Sequence, residues 1–184
     1  MTPRRRRGAV AAVAGLVVIL VAVGAVGWLA ASGTIGRSRP GALPPPRYVD
    51  EAVAAGVKHA FGGDDAYIVG GGVATFDCDG DGRPDLYLAG GDGPAALYRN
   101  ESTTGGPLRF ADVTEPAVAL HAVTGAYPLD VDGDRHTDLV VLRRGEEVLL
   151  RGLGDCRFAP ADASLGFDGG EGWTVGFSAT WETP

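Results

Sequence analysis

From residue 73 onward the chain alternates short apolar runs with clusters of Gly, Asp, Asn and Pro. The runs Leu86-Tyr87-Leu88-Ala89, Ala96-Leu97-Tyr98, Leu139-Val140-Val141-Leu142 and Val148-Leu149-Leu150 are too short for helices and are bounded by turn residues, as strands are. A Gly-rich turn is expected at 90–94 and another at Arg143–Glu146. No 3.6-residue period is sustained in this part of the chain; the pattern predicts one short helical turn, over Val49–Lys58. The fold class read from these positions is all-β.

The runs repeat. Leu86–Ala89, turn, Ala96–Asn100 returns as Leu139–Leu142, turn, Val148–Gly152, and Arg99 and Arg151 stand 52 residues apart (151 − 99). Arg109-Phe110 returns as Arg157-Phe158 after a loop four residues shorter, and Ala74-Thr75-Phe76-Asp77 has an echo in Ala179-Thr180-Trp181-Glu182, where a third unit would begin. A period of about 50 residues with several strands per unit indicates a propeller blade or a stacked β array. A closed propeller needs at least about four blades. Residues 48–184 hold two complete units and the start of a third, so the chain reads as a truncated or split piece of a longer repeat protein, or as one that closes by oligomerising.

Chemistry concentrates in two loops of the repeat. Asp77-Cys78-Asp79-Gly80-Asp81-Gly82-Arg83-Pro84-Asp85 and Asp130-Val131-Asp132-Gly133-Asp134-Arg135-His136-Thr137-Asp138 each place Asp at positions 1, 3, 5 and 9, and they start 53 residues apart (130 − 77). So much like charge repels itself unless a cation sits among it, and a hard ion taking six to eight oxygens, calcium, fits best. The expected ligands are Asp77, Asp79, Asp81, the Arg83 carbonyl and Asp85 in loop one, and Asp130, Asp132, Asp134, the His136 carbonyl and Asp138 in loop two. The helix-loop-helix calcium loop is excluded because position 12 is Leu88 or Val141, not Glu. Position 6 is Gly82 in loop one but Arg135 in loop two; a left-handed backbone there costs a non-glycine residue about 1–2 kcal/mol, so loop two is expected to be the weaker or reshaped site. A solvated acidic turn without an ion is the plain alternative for each loop.

The Asp-x-Asp-Gly-Asp-Gly-x-x-Asp-Leu core resembles the FG-GAP/VCBS repeats of integrin α-subunit propellers. The flanks Gly70–Asp77, Leu97-Tyr98-Arg99-Asn100 and Arg109–Thr114 are similar to those of the bacterial UnbV and cartilage-acidic-protein branch. The resemblance covers roughly residues 48–184. It implies a partial β-propeller of two complete FG-GAP-type blades and the start of a third, cut from a seven-bladed whole, an extracytoplasmic location and a structural calcium ion in each loop. The branch's carboxy-terminal UnbV-type domain has no counterpart here.

Charge adds a constraint. The net charge is −7, but residues 1–36 carry four Arg and no acid, which leaves −11 (12 − 23) on the remainder. That disfavours nucleic acid, whose binders need a basic footprint. Residues 1–36 read as an N-terminal signal anchor: Arg4–Arg7 precede the apolar stretch Ala9–Ala31, long enough for a single-pass transmembrane helix, with the Arg cluster on the cytoplasmic side and the rest exported. Secretion after signal cleavage is the alternative. Residues 37–47, with Pro44-Pro45-Pro46, form a stiff linker to the repeat region at 48–184. Cys78 and Cys156 both fall in the exported part, where a disulfide between them would staple two neighbouring units, or both thiols are free.

Catalytic signatures are missing: there is no Gly-x-Ser-x-Gly elbow, no phosphate-binding Gly-x-x-x-x-Gly-Lys and no zinc-type histidine pair. His59, His121 and His136 are far apart in sequence and read as ordinary surface or core residues. Trp173, Trp181, Phe76 and Tyr98 read as blade core, and Asn100-Glu101-Ser102 is a formal glycosylation sequon. The function expected is a non-enzymatic, membrane-anchored calcium-binding scaffold for adhesion or interaction, with a protein or carbohydrate partner. The rival readings are a cell-envelope sugar-binding protein or enzyme in its complete form, and a non-functional truncated remnant.

Overall fold

The structure is a computed structural model and describes residues 20–28, 45–68, 71–161 and 165–180. The chain divides into two compact units, Met1–Tyr48 and Val49–Pro184. In the first, residues 20–28 are helical. The rest of the expected membrane span Ala9–Ala31 lies outside the described residues, as do most of the 37–47 linker and the Trp181-Glu182 start of the expected third unit. Among the described residues no helix is long and apolar enough to cross a membrane.

The second unit is built from two antiparallel meanders. The first runs β1 (Val73–Phe76), β2 (Asp85–Leu88), β3 (Ala96–Asn100), β4 (Phe110–Asp112), and the second β5 (Val123–Leu129), β6 (Asp138–Gly145), β7 (Val148–Gly152), β8 (Phe158–Pro160). A two-residue strand, β9 (Gly172–Trp173), pairs with the end of β6. The acidic loops are the β1–β2 and β5–β6 connections, so the sequence repeat is a repeat of sheets.

The strands form because their apolar faces meet. Ala74, Phe76, Tyr87 and Leu97 of the first sheet share one core with Leu139, Val141, Leu150 and Phe158 of the second. Phe76 and Phe158 meet edge to face with centroids 6.2 Å apart, a favoured aromatic geometry. Strand β6 is buried on both faces: Val140 and Leu142 point away from that core into a second one with Leu149, against which Tyr127, Leu165 and Phe177 pack. Double burial explains why 139–142 is an unbroken apolar run instead of an alternating one. Tyr87 is wholly buried; desolvation drives its phenol pKa well above the ordinary value, and its hydroxyl donates to the Val118 carbonyl at 2.9 Å.

Three expectations change. The helical turn expected over Val49–Lys58 is confined to a hydrogen-bonded turn at 52–56, closed by Ala55 N to Glu51 O at 2.7 Å and Val57 N to Ala52 O at 2.8 Å. It stops at Gly56, where φ is +92° and a Cβ would come within 2.6 Å of the Phe110 carbonyl oxygen. The turn lies against the first sheet: Phe110 N donates to Ala55 O at 2.7 Å, and Tyr98 donates its hydroxyl to Lys58 O at 2.9 Å. The expected turn at Arg143–Glu146 is mostly strand, because Arg144 and Gly145 gain partners in Trp173 and Gly172. Phe76 and Tyr98 are buried, whereas Trp173 is half exposed, since β9 only covers the tip of β6; Trp181 lies outside the described residues.

Strand β5 has no counterpart in the apolar pattern. Gly125 and Pro128 disguise it, and Pro128 is tolerated because the half of β5 that carries it pairs with β6 alone, whereas Val123 at its start also bridges to Gly91. The register shifts between Val123 and Gly125, and the bulged Thr124 donates its hydroxyl to the Thr174 carbonyl at 2.6 Å. Gly72 N bonds Thr124 O at 3.2 Å, which brings the leading ends of the two sheets together.

Candidate metal centre

Each acidic loop is wound around its own carboxylates. In loop one Asp77 accepts from Gly80 N at 2.8 Å and Asp81 N at 3.2 Å through Oδ1, and from Gly82 N at 2.8 Å through Oδ2. Asp79 accepts from Asp81 N at 3.2 Å, and Asp81 from Arg83 N at 2.8 Å. Loop two repeats the scheme: Asp130 accepts from Gly133 N at 2.7 Å and Arg135 N at 3.1 Å, Asp132 from Asp134 N at 3.2 Å, and Asp134 from His136 N at 2.8 Å.

The ninth position does something else. Asp85 is fully buried and bridges three segments, taking Cys78 N at 2.8 Å on Oδ2 and Asn100 N at 2.7 Å on Oδ1. Asp138 is its equivalent, taking Val131 N at 2.7 Å and Gly152 N at 2.8 Å. One carboxylate thus fastens the second residue of its own loop to the end of the next strand.

The structure brings together three of the four carboxylates expected per loop. Oxygen atoms of Asp77, Asp79 and Asp85 lie within 4.8 Å of one another, as do those of Asp130, Asp132 and Asp138. The fifth-position carboxylates are engaged by arginines instead. Asp81 is ion-paired with Arg83, and Asp134 with Arg151 at 3.2 Å; Arg151 also reaches Asp132 at 2.8 Å. Arg83 further donates from Nε to Asn100 O at 2.9 Å, and the His136 ring lies beside Gly154. Spacing of the acidic loops does not point to Arg151; its one signal in the sequence is its place 52 residues after Arg99, and Arg99 pairs with Glu101 at 2.9 Å, not with loop one.

Electrostatics of the clusters suit a cation. Burial pushes the Asp85 carboxyl above the ordinary range, the N–H groups of Asn100 and Cys78 pull it back, and the negative charges of Asp79 and Asp77 add to the rise. For Asp77, desolvation is outweighed by the N–H groups of Gly82, Gly80 and Asp81, which hold it below its usual value. Three convergent carboxylates with an oxygen-only donor set fit a hard divalent ion such as calcium far better than a thiophilic one.

Loop two carries strain that loop one avoids. Arg135 has φ +72° where Gly82 has φ +82°. Relief of about 1–2 kcal/mol of left-handed strain, less about 0.4–1 kcal/mol for the looser unfolded chain, makes Arg135→Gly stabilising by about 0.5–1 kcal/mol. Urea melts of the two chains in chelator check this; a destabilised variant contradicts it.

Cys78 and Cys156 are joined by a disulfide, with Cα atoms 4.6 Å apart across a sequence separation of 78. It links position 2 of loop one to the β7–β8 turn of the other sheet. Asn100 of the sequon is buried, donates from Nδ2 to Pro84 O at 2.9 Å and accepts from Ser102 N at 2.9 Å, so its amide is committed to holding the loop. The His59 and His121 rings meet the Ala89 and Asp92 carbonyls, each at 2.8 Å.

Residues 77–141 match the model of the FG-GAP-like repeat. The chain is also similar to cartilage acidic protein 1 of Homo sapiens, 33% identical over 93 residues, which are 50% of this chain and 13% of that protein. The matched segment is therefore a small part of the relative's length.

Proposed function

We propose that the FG-GAP-like repeat carried by residues 77–141, with the strands around it, supplies consecutive blades of an extracytoplasmic β-propeller that holds structural calcium and serves as an adhesion or interaction scaffold, not an enzyme. The observation that carries this reading is the equivalence of the two clusters: Asp77, Asp79 and Asp85, and Asp130, Asp132 and Asp138, occupy the same place in two sheets of the same strand order. Face-to-face packing of the sheets around Phe76 and Phe158 supports the blade assignment.

In this reading Asp77, Asp79 and Asp85 with the Arg83 carbonyl hold one ion, and Asp130, Asp132 and Asp138 with the His136 carbonyl the other, Asp81 and Asp134 joining them once they leave Arg83 and Arg151. Calcium supplies positive charge that draws each loop's carboxylates together. The side chains themselves do the rest: Asp77 and Asp130 shape the loops through backbone N–H groups, while Asp85 and Asp138 tie them to the core. Export is supported by Arg4–Arg7 ahead of an apolar stretch and by the disulfide, and the same stretch is the proposed membrane anchor. A net charge of −11 on residues 37–184 (12 − 23) favours a protein or carbohydrate partner over nucleic acid.

Extracellular calcium modules bind with Kd values of about 10⁻⁴–10⁻³ M. At 1 mM calcium each loop then adds about 0.4–1.4 kcal/mol by mass action. Thermal melts in calcium and in chelator are expected to differ by several degrees, and the difference should shrink in the Asp77→Asn/Asp79→Asn variant. Identical melts in the two buffers overturn the calcium reading.

A further inference from the structure

The disulfide enters the wall of only one of the two clusters. Cys78 is the second residue of loop one, and its N–H is one of the two donors that hold Asp85. Its carbonyl accepts from Cys156 N at 3.0 Å, and Cys156 Sγ lies 3.7 Å from the Asp85 carboxylate oxygen that Cys78 N also contacts. In loop two the matching residue is Val131, which makes the same bond to Asp138 with no covalent link behind it.

The turn that delivers Cys156 is itself held out of its preferred conformation. Gly154, Asp155 and Cys156 have φ of +75°, +52° and +57° in succession. Two adjacent non-glycine residues in the left-handed region cost of order 1–3 kcal/mol each and persist only where the surroundings over-determine them. Leu153 N to Arg157 O at 2.9 Å and Arg157 N to Gly154 O at 3.0 Å close the turn itself, while the disulfide and the Cys156 N to Cys78 O bond tie it to loop one; opening the disulfide leaves a single hydrogen bond in that tie, which frees Cys78 and, through it, Asp85 to move.

We infer that the Cys78–Cys156 disulfide is a positioning device for loop one, which makes the cation affinity of that loop, and not of loop two, dependent on the oxidation state of the pair. This rests on the calcium reading above. Opening the disulfide takes two electrons and two protons, supplied by a small dithiol that becomes its own cyclic disulfide, and leaves two thiols. The carboxylates stay in place chemically; what is lost is the tether that keeps the Cys78 N–H on Asp85. Groups that orient metal ligands from behind typically change affinity by about 10–100-fold.

The test uses two variants of the full chain, each leaving one loop intact: Asp130→Asn/Asp132→Asn for loop one and Asp77→Asn/Asp79→Asn for loop two. Calcium is titrated calorimetrically into each, oxidised and dithiol-reduced. The expected result is a loss of about tenfold or more on reduction for the loop-one chain, with less than a twofold change for the loop-two chain, whose retained binding also reports that the reduced protein is folded. Equal affinities in both oxidation states overturn the inference while leaving the calcium reading intact. No binding by either oxidised chain overturns both.

Should reduction unfold the chain, the same coupling is read from the oxidised side, because linkage is reciprocal. In a dithiol redox buffer, calcium is expected to make the disulfide harder to reduce in the loop-one chain by the same factor, and less so in the loop-two chain. Equal protection by either loop reflects global stabilisation alone and overturns the inference.

Discussion

Removing the Cys78–Cys156 disulfide, as Cys78→Ser/Cys156→Ser, is expected to lower stability by about 4–5 kcal/mol. The two residues are 78 apart, so the link withdraws a large amount of loop-closure freedom from the unfolded chain. Both cysteines are buried in the core between the sheets, where serine hydroxyls would also need partners. Relaxation of the left-handed turn at Asp155 and Cys156 returns part of the loss. Against a total of about 5–15 kcal/mol for an ordinary domain, the change should be plain in urea melts at saturating calcium. A midpoint within error of the oxidised protein contradicts the assignment of the disulfide as the principal tie between the sheets.

The second large effect is expected at Asp138. Its two oxygens accept from Val131 N at 2.7 Å and Gly152 N at 2.8 Å, and the side chain is fully buried. Bonds to a charged acceptor contribute about 1.5–3 kcal/mol each, and a buried donor left without one keeps the desolvation cost. Asp138→Ala should therefore destabilise by about 3–5 kcal/mol. Measured in chelator, the loss is free of any contribution from a bound ion, which separates the anchoring role from a ligand role. Asp130→Ala, whose partners are exposed loop N–H groups, is the comparison and should cost about 1 kcal/mol or less under the same conditions. Similar losses for the two variants would remove the distinction between an anchor and a loop carboxylate.

The apolar runs at 86–88, 96–98, 139–142 and 148–150 reveal β2, β3, β6 and β7 because each strand's burial comes from side chains that are already apolar in the sequence. β5 escapes because its burial belongs to Val123, Thr124 and Gly125, and its outer half carries Pro128. The repeated Asp positions locate both clusters, yet spacing treats all four carboxylates of a loop alike. Their differences come from partners. Arg83 lies two residues from Asp81, but Arg151 lies 17 residues from Asp134 and arrives through β7. The anchoring of Asp85 and Asp138 is likewise tertiary, since the second donor in each case stands at the end of a different strand, 15 and 14 residues on. Counting charges finds the site; only the strand register says which charges are walls and which are anchors.

The meander order of the two sheets bears on how the chain folds. Within each sheet every pairing from β1 to β4 and from β5 to β8 joins sequence neighbours, so its loops are short to close and its contacts form early. The first sheet can assemble before the second exists. Cys78 then waits, as a thiol on a nearly finished hairpin, for a partner 78 residues downstream. At synthesis rates of about 5–20 residues per second that interval is about 4–16 s. The covalent tie thus has to wait for the second sheet, and the time before it closes is the window in which Cys78 is open to mispairing with another chain.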